Sequence, residues 1–200
     1  MPVLGITGGI ATGKSTFVQA FAGQLPAQVF DADLAAHELL SGDLAVRAAV
    51  VEAFGTPVLD GEGKPDRQRL RKLVFADPSK RKTLEEILHP RIRARWAAGA
   101  EEFRDRPDWL LVDIPLLFET GAQSHFERVV VVACSRETQV QRLRENRNIQ
   151  DALIENIIGA QLDLGSKVRL GQHVIWNDST REALESQARL LAGFLRSLYG

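Results

Sequence analysis

The run Gly8-Gly9-Ile10-Ala11-Thr12-Gly13-Lys14-Ser15 spells G-x-x-x-x-G-K-[ST] without a mismatch. Glycines at those places let consecutive backbone N–H groups turn inward around an anion. The N-terminus of a helix behind them adds positive potential, the lysine reaches the outer phosphates, and the serine hydroxyl can ligate Mg²⁺. An ordinary glycine-rich turn between strand and helix accounts for the glycines but not for Lys14-Ser15. The expected chemistry is a nucleoside triphosphate site, with Gly9, Ile10, Ala11, Thr12, Gly13, Lys14, Ser15 and Thr16 around its phosphates. A phosphate loop alone does not choose between switches, motors and small-molecule kinases, so the carboxylates must. Asp31-Ala32-Asp33 follows an apolar pair, Val29-Phe30, and sits where the second strand of an open α/β sheet would end, the edge at which such sheets bind ligands. Asp33 there can accept the proton of an attacking hydroxyl or hold Mg²⁺, and Asp31 is read as a helix N-cap or turn residue. Asp113 closes the apolar run Trp109-Leu110-Leu111-Val112, the pattern of a second acid near the metal, directly or through water.

These groups need a scaffold. Apolar runs bounded by turn residues occur at Val3 to Thr7, Gln28 to Phe30, Trp109 to Asp113, Val129 to Cys134 and His173 to Trp176, and read as five buried strands of a parallel sheet. Helical spacing follows the first strand as far as Pro26 and fills the C-terminus from Leu184 to Leu198, where Ser179 with Glu182 spells a capping box. Strands alternating with helices predict a doubly wound α/β core. Between Asp66 and Arg106 the alternation stops, and three helix starts appear, at Asp66, at Asp77-Pro78 and at His89-Pro90. A helical insertion between the second and third strands is expected, and a helical pair, Arg136 to Arg147 and Asp151 to Gln161, after the fourth.

Composition bounds the function. A chain of 200 residues with 44% apolar and 26% charged residues suits one folded, soluble domain rather than a multi-module scaffold or a disordered chain. The longest apolar run, Val129 to Cys134, is far short of the about 18 residues that span a bilayer. No secretory leader, structural zinc or intramolecular disulfide is expected, and a cytoplasmic location is. A net charge of −1 argues against nucleic acid as the main partner. Within that balance residues 64–108 hold 13 basic against 8 acidic side chains, a candidate docking surface for a phosphorylated molecule.

Taken in order, Thr7-Gly8-Gly9-Ile10, Gly13-Lys14-Ser15-Thr16, Asp31-Ala32-Asp33 with His37, Asp66-Arg67 with Val74-Phe75, His89-Pro90, Asp113 through Glu119, Arg142-Leu143, Gln161 and Asn177 resemble the dephospho-CoA kinases along nearly the whole chain. The resemblance implies ATP-dependent phosphorylation of the ribose 3′-hydroxyl of dephospho-CoA, the last step of coenzyme A synthesis, on a P-loop nucleotide-kinase-like α/β core with Mg²⁺. It divides the chain into a core (1–63, 107–138 and 165–200), a helical acceptor-binding insertion (64–106) and a lid (139–164). Lys14 and Mg²⁺ then serve the phosphates, Ser15 and Asp113 the metal, and Asp33 orients or deprotonates the 3′-hydroxyl. Arg142 and Arg147 close over the triphosphate, with Arg147 one position later than the family's spacing. Asn177 borders the adenine. His37 and His89, the latter also a candidate for holding an inter-helix corner, reach the acceptor. Leu116, Leu117 and Phe118 offer it an apolar wall, and Glu119 orients arginines. The alternatives are a nucleoside monophosphate or other small-molecule P-loop kinase and a non-enzymatic nucleotide switch.

Overall fold

A computed structural model describes residues 2–103, 106–147 and 151–199, the side chains of residues 75, 146, 147, 151 and 152 excepted. The sheet has five strands, β1 (Val3–Gly8), β2 (Ala27–Asp31), β3 (Trp109–Asp113), β4 (Arg128–Ala133) and β5 (His173–Trp176), in the order β2-β3-β1-β4-β5. β1 runs parallel to β3 and β4, and β4 to β5. The central strands β1, β3 and β4 are buried almost end to end, as strands covered on both faces of a sheet are. Val130 and Val132 face a core shared with Phe17 and Phe21 of α1 (Lys14–Ala22) and Leu184, Leu191 and Leu195 of α9 (Arg181–Tyr199). The alternate residue Val131 meets Gly171, at the end of α8 (Leu164–Leu170), on the other face; a Cβ on that glycine would lie 2.5 Å from the valine. Also described are α6 (Arg136–Arg147) and α7 (Asp151–Gly159). α8 carries no signal in the sequence reading. The helix α9 is capped by Thr180 rather than by the expected Ser179, since it is the Thr180 hydroxyl that accepts the Ala183 N–H.

The chain groups into two compact units, Met1–Phe30 with Gly99–Gly200, and Asp31–Ala98. The second carries α2 (Ala32–Gly42), α3 (Leu44–Phe54) and α4 (Arg67–Ala76), and α5 (Pro78–Phe103) begins in it. An aspartate caps each of the first three, since the carboxylates of Asp31, Asp43 and Asp66 accept the first free N–H groups of their helices. One expectation is corrected: His89-Pro90 starts no helix and makes no corner, because α5 runs through Pro90 for 26 residues. An interior proline removes one i→i−4 bond and crowds the turn before it. Here the Arg91 guanidinium donates to the Ile87 carbonyl at 2.7 Å in that turn.

Candidate active site

The phosphate loop leaves β1 at Gly8 and enters α1 at Lys14. Gly13 caps the helix in the left-handed region, φ +85°, and a Cβ there would lie 2.2 Å from Asn177 Nδ2. Ala11 also has positive φ, 58°. Thr12 is buried, and its hydroxyl donates to the Gly9 carbonyl at 2.9 Å, so it tightens the loop from within. Lys14 forms an ion pair with Asp113, placed at the end of β3 by the register that sets it beside Ile6. The hydroxyl residue Ser15 is exposed in the first turn of α1.

Four carbonyls of this loop are taken by side chains from elsewhere in the same unit. Gln139 Nε2 donates to Ile10 O at 2.8 Å, Arg142 Nη1 to Ala11 O at 3.3 Å, Asn177 Nδ2 to Thr12 O at 2.8 Å and Lys167 Nζ to Gly8 O at 3.2 Å. Gln161 completes the hold by accepting the Ile10 N–H at 3.0 Å. With these four carbonyls bonded from outside the loop and that of Gly9 bonded within it, the N–H groups at the start of α1, which no helix satisfies internally, are left to receive phosphate oxygens.

Several expected site residues land differently. Arg142 grips the loop from behind and also donates to Asn177 O at 2.9 Å, while the Asn177 side chain is committed to Thr12. The side chain of Arg147 lies outside the described residues. Leu117 is corrected from wall to core: it is fully buried, beside Gly5 with Phe126, whereas Leu116 and Phe118 keep partial exposure. Glu119 meets no arginine among the bonds described here; it pairs with Lys167 at 2.9 Å and accepts the Leu162 N–H. In the second unit Asp33 and His37 lie one turn apart, both exposed on α2, and Asp33 donates its N–H to the capping Asp31. His89 is half-buried on α5, with its pKa pushed down by burial against the opposing pull of Glu85. Sequence reasoning missed Lys167 and Gln139 altogether. Both are polar residues on helices, and only tertiary contacts distinguish them from solvated side chains.

The side chains at the loop's mouth that could ligate a metal are oxygen donors, the Ser15 hydroxyl and the Asp113 carboxylate. That set suits Mg²⁺, which keeps several waters and takes its remaining ligands from substrate phosphates. Among the described residues no group of three or more His, Cys, Asp or Glu could hold a metal by itself.

A strand, a glycine-rich cradle and a helix, with a lysine–aspartate pair at the mouth, on a sheet ordered β2-β3-β1-β4-β5, define a P-loop kinase fold. The family model for dephospho-CoA kinase matches residues 2–183. A dephospho-CoA kinase of Geobacter metallireducens is 40% identical over 188 residues, covering 94% of this chain and 93% of that one. One from Bacillus thuringiensis subsp. konkukian is 37% identical over 190 residues, 94% of each. The solved dephospho-CoA kinase of Campylobacter jejuni superposes with a TM-score of 0.72 at 25% identity over 96% of both chains. The chain belongs to the dephospho-CoA kinase family, ATP-dependent transferases of coenzyme A biosynthesis. Among its described residues no helix is long and apolar enough to cross a membrane.

Proposed function

We propose that this chain transfers the γ-phosphoryl group of ATP to the ribose 3′-hydroxyl of dephospho-CoA, giving coenzyme A and ADP, in the cytoplasm. What supports it is the phosphate cradle with its Lys14–Asp113 pair, in a chain of this family. The loop N–H groups and Lys14 hold the triphosphate. The 3′-oxygen attacks the γ-phosphorus in line, the bond from that phosphorus to the β,γ-bridging oxygen breaks, and ADP leaves. Asp33 accepts the hydrogen bond of the attacking hydroxyl and takes its proton as the new bond forms. A carboxylate is a far weaker base than the alkoxide it would generate, so orientation is the larger part of that role. Ser15 and Asp113 would hold Mg²⁺, which supplies charge neutralisation at the β- and γ-phosphates.

Arg142 fixes the loop through Ala11 and Asn177, which leaves Arg147 to close residues 139–164 over the phosphates and exclude water, the competing acceptor. Residues 64–106, with His89 and the basic side chains, take the acceptor together with His37, Leu116 and Phe118, and Asn177 borders the adenine. The test is ATP consumption by the purified protein with Mg²⁺, with and without dephospho-CoA, and the mass of the product. A product heavier by one phosphoryl group, with little hydrolysis when the acceptor is left out, is expected. ATP loss without a phosphorylated acceptor would refute the transfer, and a preference for a nucleoside monophosphate would move the chain to another acceptor class.

A further inference from the structure

Lys167 is fully buried on a seven-residue helix that packs on β4. A buried ammonium is costly unless its N–H bonds all find acceptors. This one has three: Gly8 O at 3.2 Å, Pro115 O at 2.9 Å and the Glu119 carboxylate at 2.9 Å. Each belongs to a segment that carries part of the phosphate site. Gly8 opens the loop that presents Lys14. Pro115 follows Asp113 by two residues, and its carbonyl also accepts the Thr7 hydroxyl at 3.1 Å. Glu119 in turn accepts the Leu162 N–H, next to Gln161, which grips Ile10. The ion pair alone does not account for the lysine, since replacing a buried pair whole by packed hydrophobic groups is often neutral or stabilising; it is the carbonyls of Gly8 and Pro115 that demand a donor at this point between the two segments.

We propose that Lys167, held by Glu119, is a positioning residue for phosphoryl transfer: its ammonium sets the spacing between the phosphate loop and the segment after β3, and so between Lys14 and Asp113. The inference rests on the reading of Gly8 to Ser15 as the ATP site. Nothing reaches the ligand from Lys167 itself; it acts by holding two backbone segments at a fixed separation. Displacements of about 1 Å in such a site cost up to about 100-fold in rate.

The test uses Lys167→Met, which is unbranched and close in volume but removes the three donors, and Glu119→Gln, which keeps an acceptor but removes the counter-charge. For each full-length variant the melting temperature, the folded fraction by circular dichroism, and kcat and KM for both substrates are measured beside the parent protein. Lys167→Met is expected to raise KM for ATP and lower kcat by about tenfold each, a misplacement smaller than the full 1 Å case, while KM for dephospho-CoA stays within about twofold. Glu119→Gln is expected to shift the same constants in the same direction, and it decides the matter if Lys167→Met does not fold. A lower melting temperature with unchanged constants per folded molecule, or an equal rise in both KM values, overturns the proposal. A parent protein that fails to phosphorylate dephospho-CoA would instead overturn the reading of the site on which the proposal stands.

Discussion

Replacing Gly13 by alanine tests the phosphate cradle at its tightest point. Two costs are visible in the structure. At φ +85° an alanine pays about 1–2 kcal/mol for the left-handed conformation. The new Cβ would also stand 2.2 Å from Asn177 Nδ2, so the asparagine must swing away. That movement breaks its 2.8 Å bond to Thr12 O, worth about 1–2 kcal/mol when the abandoned carbonyl stays buried. Together these come to roughly 2–4 kcal/mol, which for a chain of this size lowers the melting temperature by about 5–15 °C. Function should suffer further, because Gly13 is the pivot from which the first N–H groups of α1 are aimed, and kcat/KM for ATP is expected to fall at least tenfold, as ~1 Å misplacements do. Gly193 is the control: it lies inside α9, and a Cβ there would meet nothing within 4 Å. Gly193→Ala should raise the melting temperature by about 1–4 °C, since alanine is the better helix former by about 0.5–1 kcal/mol. Thermal melts of both variants and ATP saturation curves at fixed dephospho-CoA are the assay. A Gly13→Ala protein that melts with the parent and keeps its KM for ATP would refute the reasoning.

Asp33→Asn keeps the size of a side chain exposed on α2 but removes its proton acceptor; kcat should fall by about 100-fold with KM for ATP nearly unchanged, and retained turnover would take Asp33 out of the mechanism. Arg147→Ala should lower kcat and raise ATP hydrolysis in the absence of dephospho-CoA, measured as ADP released; an unaffected enzyme would assign the closing role to another arginine. Burial pushes the Cys134 thiol up to about 11, against a partial opposing pull from Arg142, so between the ordinary value near 9 and that value the unfolded chain sheds a proton the folded chain retains. Stability should therefore fall as pH rises through that window, and Cys134→Ala should flatten the fall in melting temperature between pH 9 and 11; equal slopes for parent and variant would contradict the assignment.

Much of the scaffold is legible from local pattern. β3 begins and ends at the residues where its apolar run does, because a strand buried on both faces writes itself into the chain as an uninterrupted run; β5 keeps the bounds of its run too, but at the sheet's edge it is not the buried strand expected, since Val174 and Trp176 stand exposed. The phosphate loop and the caps at Asp31 and Asp66 are equally local, being a side chain and the N–H groups two or three residues on. Where two local rules compete, the sequence does not arbitrate. Proline suits the first turn of a helix, yet α5 carries Pro90 in its interior, with Arg91 donating to a carbonyl of the turn before it. Ser179 and Thr180 are both good caps, and the choice fell to the residue whose hydroxyl reaches Ala183.

The residues that hold the phosphate loop escaped for a different reason. The motif reports which backbone N–H groups an anion will meet, but every such peptide also has a carbonyl on its far side, and a buried carbonyl must be bonded too. Those of Gly8, Ile10, Ala11 and Thr12 are served by Lys167, Gln139, Arg142 and Asn177, between 129 and 165 residues away along the chain. Any side chain with an N–H can do this, so no residue type or spacing announces the partner, and Lys167 in Gly165-Ser166-Lys167-Val168-Arg169 looks like a solvated charge until α8 is laid on β4. The loop's carbonyls nevertheless fix how many such partners must exist. Counting them turns the phosphate motif from a description of what touches the ligand into a demand for the side chains that keep it in place.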